Sequence, residues 1–208
     1  QSPSPWSKDS RKIMGRNLPQ AMKTSFLFES SITAAFFAVM YFLLYQVQVH
    51  VLTDFDFLPM ASILFLPAGV KFIAMVVGQA AGVMGIAIGM QLVERHQGMP
   101  FDMLTAIPHL LVWLLLPYAL LRTYLVKNHL TQDLSALTTY QLVVLASIAS
   151  IVSSLGTQLY FFGIHDPQYP LLRGMWSMTV GDMSGIAVAL GFIVVVRRVF
   201  VKRERISS

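Results

Sequence analysis

An all-α protein that crosses a lipid bilayer several times is what this sequence predicts, and three observations carry the prediction. Of its 208 residues, 55% are hydrophobic and only 12% charged, and the mean hydropathy is +0.63, a composition that soluble domains do not reach. Apolar runs long enough to cross about 30 Å of hydrocarbon recur along the chain. Ten of the fifteen Lys and Arg residues lie in the two terminal segments, so the +5 net charge marks cytoplasmic flanks facing anionic headgroups and not a nucleic-acid surface. Both termini are expected on the cytoplasmic side of a bacterial inner membrane. No cysteine is present, which excludes disulfides and thiolate metal sites. No stretch is long enough for a soluble catalytic domain, so no enzyme activity and no cofactor are expected.

Residues 1–25 read as a cytoplasmic tail, 26–200 as the transmembrane domain and 201–208 as a second basic tail. The chain opens at Gln1, with no signal-peptide apolar region in its first 25 residues, and an upstream piece is expected to be missing or processed. The first crossing is predicted over Ser31–Val49, with Glu29 at its helix N-terminus and Ala34 and Ala38 as a small-xxx-small pair. His50–Asp56 is acidic and reads as external. Phe57–Val77 is predicted as a second crossing broken near Phe65–Gly69, because Pro67 lacks a donor and opens the carbonyl four residues earlier. Gly78–Val93 forms a third, with Gly78, Gly82, Gly85 and Gly89 allowing close backbone packing. Leu104–Leu121, interrupted by Pro108 and Pro117, is the fourth. Arg122–Asp133 returns to the cytoplasm, and Thr139–Phe161, rich in serine and alanine, is the fifth. Its hydroxyls are expected to bond back to the carbonyl one turn earlier. Met175–Val196 is the sixth. Six crossings put both basic termini on one side, and the external loops carry only Arg95 and Arg173.

The chemistry worth weighing lies inside the crossings. Asp182 sits about one third of the way into the last one, between Gly181 and Gly185, and a lone carboxylate at such depth costs at least about 2.5–3.5 kcal/mol. It is therefore expected to be paired, hydrated or protonated, and the candidate partner is Lys71 of the second crossing, at comparable though not equal depth. The pair reads either as a polar site that receives a small ligand or passes a proton, or as a buried structural ion pair. His109, beside Pro108, reads as a cavity-facing or helix-end histidine. It has no second histidine three or four residues away, so no metal site is expected. Trp176 reads as part of an interfacial belt or as a wall of the Asp182 site.

Two stretches resemble the MASE1 family of membrane-associated sensory domains. One is FLPAGVKFIAMVVGQAAGVMGIAIG, Phe65–Gly89, similar to that family's aromatic-Pro-x-Gly helix followed by a glycine-rich one. The other is WSMTVGDMSGIAVALGFIVVV, Trp176–Val196, similar to its closing Trp…Gly-Asp-x-x-Gly helix. Pro67, Gly69, Trp176, Gly181, Asp182 and Gly185 are the matching positions, while Lys71 lies outside the pattern and six crossings are fewer than the family's eight. The resemblance implies a ligand-responsive membrane module. Since no kinase or cyclase sequence follows residue 208, it also implies action through a partner protein or a second copy. A rival resemblance is to the substrate-binding subunits of energy-coupling-factor vitamin transporters, through the length, the six crossings and Ala34-x-x-x-Ala38. A third reading is an accessory subunit held in a larger membrane complex by its glycine-, alanine- and serine-rich faces.

Overall fold

The computed structural model describes residues 20–52, 56–58, 61–98, 103–130, 134–164 and 171–207. Residues 1–19 of the predicted N-terminal tail, Pro59 and parts of the predicted loops lie outside the described residues. The architecture is all-helical apart from one short ribbon. Its helices are α1 (Gln20–Val51), α2 (Leu66–Ile73), α3 (Gln79–His96), α4 (Met103–Leu110), α5 (Leu116–Lys127), α6 (Thr139–Ile164) and α7 (Leu171–Ser207). π-helical turns at Ala74–Gly78 and Leu111–Leu115 join α2 to α3 and α4 to α5. Ahead of α2, β1 (Asp56–Leu58) pairs antiparallel with β2 (Ala61–Ser62).

Five helical runs among the described residues are long and apolar enough to cross a membrane: Leu27–Val51, Leu66–His96, Ala106–Lys127, Thr139–Tyr160 and Leu171–Val196. Length and composition alone thus count five runs where six crossings are expected, because the predicted second and third join in one helical run. That run is not straight. Gln79 has φ 51° and ψ −137°, outside the helical region, and a Cβ on Gly82 would lie 2.5 Å from the carbonyl oxygen of Ala74. Residues eight apart on a straight helix stand about 12 Å apart. The packing registers agree. Gly85 and Gly89 back onto Ala34 and Ala38, so α3 runs parallel to α1. Phe65 meets Tyr45 while Gly78 meets Phe37, so α2 runs antiparallel to α1. The chain therefore folds back at Gly78–Gln79.

The expected break near Phe65–Gly69 is corrected. Among the described residues between α1 and Leu66 there is no helix for Pro67 to break. Pro67 lies in the first turn of α2, where a missing N–H would have had no helical acceptor and the fixed φ suits the start of a helix. Before it, residues 62–65 run non-helically along α7.

With lipid outside, apolar burial gives little drive for helices to associate, and close packing must supply it. The glycine face of α3 does this against the backbones of Ala74, Ala34 and Ala38. The core holds Phe72, Ile86, Leu114, Leu121 and Leu145, all fully buried, while Leu43, Leu172, Phe192 and Val195 face outward. An apolar exterior of this kind fits a bilayer.

Candidate functional site

Four segments bring one side chain each to a point inside the bundle. Lys71 comes from α2, Trp113 from the π turn after α4, Ser153 from α6 and Asp182 from α7. Lys71 and Asp182 are each 1% exposed. The Lys71 ammonium donates to Asp182 Oδ2 at 3.2 Å and to Ser153 Oγ at 2.7 Å. A third side of it lies 4.4 Å from the centroid of the Trp113 ring, a distance at which the ring's negative face attracts a cation.

The arrangement around Ser153 follows from Pro117. A proline has no N–H for the carbonyl four residues earlier, which here belongs to Trp113. That carbonyl accepts from Ser153 Oγ at 3.1 Å. The hydroxyl proton thus points at Trp113, and the oxygen's lone pairs are left for Lys71. The expectation that the α6 hydroxyls bond back to their own helix is corrected at Ser153 by this bond.

Asp182 is placed by its two neighbouring glycines. Gly181 and Gly185 are one turn apart on α7, and the carbonyls of Ser62 and Phe65 sit where their Cβ atoms would be. Phe65 N–H donates to the Gly181 carbonyl at 3.1 Å. Gly69 meets Gly185 and Ala189 in the same register, so α2 runs parallel to α7 and delivers Lys71 beside Asp182. The non-helical strap also needs partners for its own polar groups, since irregular backbone at membrane depth persists only where protein satisfies it. Gln48 of α1, buried, provides them. Its Oε1 accepts from Leu66 N–H at 3.2 Å, and its Nε2 donates to Ser62 Oγ at 3.3 Å. Ser62 Oγ in turn donates to the Leu64 carbonyl at 2.8 Å.

The other expected site residues are dispersed. Trp176 is 71% exposed, so the reading of it as a wall of the Asp182 site is corrected. Six residues along α7 place it about 120° around the helix from Asp182, facing outward as a belt residue would. His109 stacks on Tyr160 at 5.2 Å and lies 6.0 Å from the Trp113 ring, one residue removed from the ion pair. Gly78 receives the Phe37 ring, and Gly82, Gly85 and Gly89 serve helix packing away from Lys71. Gln48, Ser62, Trp113 and Ser153 were not legible as site residues. Pro117, four residues beyond Trp113, was the available signal for two of them.

The ensemble can hold one positive and one negative charge out of water and still present hydrogen-bonding atoms. Asp182 Oδ1 has no hydrogen-bond partner among the described residues. Ser150, Ser154, Thr157 and Gln158 add further buried polar atoms along α6. Compared with known proteins, the chain matches no family model, no curated protein and no solved structure.

Proposed function

We propose that this chain is a ligand-responsive membrane module of the sensory type, without catalysis of its own, which passes its state to a partner protein. In this reading it crosses a bacterial inner membrane six times with both basic termini in the cytoplasm. The fold-back at Gly78–Gln79 supports that count, since it lets α2 and α3 cross in opposite senses. The positive-inside bias supports the orientation. One observation carries the functional reading. The Lys71–Asp182 pair is fully buried yet incompletely saturated, with a carboxylate oxygen left over, and Ser150, Ser154 and Thr157 of the helix that supplies Ser153 are likewise buried without partners among the described residues. A purely structural pair gains most when every lone pair is met. A site meant to bind a small polar molecule keeps some unmet.

The transporter-subunit alternative is less favoured, because Ala34 and Ala38 pack against Gly85 and Gly89 of the same chain and are taken up there. The accessory-subunit alternative loses its glycine face in the same way. The test is cross-linking in native membranes to capture the partner, followed by its output with Lys71→Met/Asp182→Asn, which removes both charges together. Loss of the response at unchanged membrane abundance is expected. A full response in that variant would sink the reading.

A further inference from the structure

The side chains of Ser150, Ser154, Thr157 and Gln158 follow one another at intervals of four, three and one residues, which places them on one face of α6. All are buried. The oxygens Ser150 Oγ, Ser154 Oγ, Thr157 Oγ1 and Gln158 Oε1 have no hydrogen-bond partner among the described residues, and Asp182 Oδ1 shares that condition. Ser153, on the same stretch, holds Lys71. At the far end the Gln158 amide approaches Met178 Sδ at 3.7 Å, and Met178 stands one turn before Asp182 on α7. The row therefore runs about 12 Å along α6, past the ion pair and on towards the end where α6 leads into α7.

Buried polar atoms without protein partners are rare, and each unmet one carries the full penalty of desolvation, about 1–3 kcal/mol. Several together on one seam need a common occupant. A metal cation is disfavoured, because the ammonium of Lys71 already neutralises Asp182 and a second positive charge would lie beside it. Water meets the need with the smallest volume. It donates to Asp182 Oδ1 and Gln158 Oε1, exchanges both roles with the hydroxyls, and makes the two to four bonds that buried water makes in polar sites.

We propose that a file of internal water occupies the seam between α6 and α7, from Ser150 past Asp182 to Gln158, and hydrates the ion pair from the α6–α7 end. This deepens the ligand-site reading and rests on it. The pair is then a wet site, whose occupant is water or a solute of water's size and hydrogen-bonding character. Other titratable groups near it are Tyr41 of α1, which meets the Trp113 ring, and His109, stacked on Tyr160.

Met178 makes the proposal measurable. It is 9% exposed, against 7% for Met90 of α3 in the hydrophobic core. Radiolytic labelling of the intact chain in detergent micelles oxidises buried methionines where bound water generates hydroxyl radicals beside them. Met178 is expected to oxidise several-fold faster than Met90, and Ser154→Ala/Thr157→Val is expected to bring it down to the Met90 rate. Equal rates for the two methionines in the unaltered chain would overturn the file, whatever the variant does. So would a fast Met178 that the variant leaves unchanged. A dry Met178 would leave a loss of partner output in Lys71→Met/Asp182→Asn untouched, so the two ideas fail separately.

Discussion

Lys71 has its carboxylate partner 3.2 Å away and almost no solvent to fall back on. Removing one member of such a pair leaves the other charge buried and uncompensated, at about 3–5 kcal/mol, whereas removing both is often close to neutral. Lys71→Met and Asp182→Asn are each expected to lower the thermal stability of the solubilised protein clearly. Lys71→Met/Asp182→Asn is expected to recover most of the loss. If the double variant is as unstable as the two losses added, the charges are not coupled. At this scale the two charged positions were readable in advance, because an ionisable residue inside an apolar run is rare and demands a reason. Trp113 and Ser153 were not. Their roles depend on a carbonyl freed by a proline and on a neighbouring helix, neither of which shows in the local pattern around them. Trp176 misled because an aromatic near a charge in sequence says nothing about azimuth around the helix.

The strap of residues 62–65 and the glycines beneath it set the register between α2 and α7, and that register brings Lys71 to Asp182. Gly-Asp-x-x-Gly therefore has a mechanical reading: the two glycines seat the strap's carbonyls and the aspartate between them faces the lysine. A methyl group at Gly185 would overlap the Phe65 carbonyl, and backbone cannot move aside as a side-chain end can. Overpacking of this kind typically costs about 1–3 kcal/mol. Gly185→Ala is expected to destabilise by that order and to displace Lys71. Gly191→Ala, with nothing within 4 Å of its Cβ position, is the matched control and is expected to be neutral or slightly stabilising. Equal stabilities in the two variants would mean that the strap does not seat on Gly185. Element boundaries were legible where composition changes sharply. The strap itself was not, because the sequence from Phe57 to Phe65 is as apolar as a helix and only the tertiary contacts of Gln48 and Gly181 show that residues 62–65 are non-helical.

For the molecule as a whole, length and composition alone see Leu66–His96 as one crossing, whereas the reversal at Gln79 makes it two opposed segments. The two topologies differ at a single place. With one crossing there, the chain changes side once between α1 and Gln97. With two, Gln97 emerges on the side opposite the N-terminus, and Asn128, beyond α5, on the same side as the N-terminus. The sequence has no cysteine, so single substitutions can be labelled without a background. Gln97→Cys and Asn128→Cys both fall at exposed positions. In intact cells a membrane-impermeant maleimide is expected to label Gln97→Cys readily, and Asn128→Cys only after permeabilisation. The reverse pattern would make Leu66–His96 a single crossing and put the C-terminal basic cluster outside, against the positive-inside bias. That outcome would also place the α6–α7 end of the polar seam on the cytoplasmic side. The labelling therefore fixes from which face water, or any ligand, reaches Asp182.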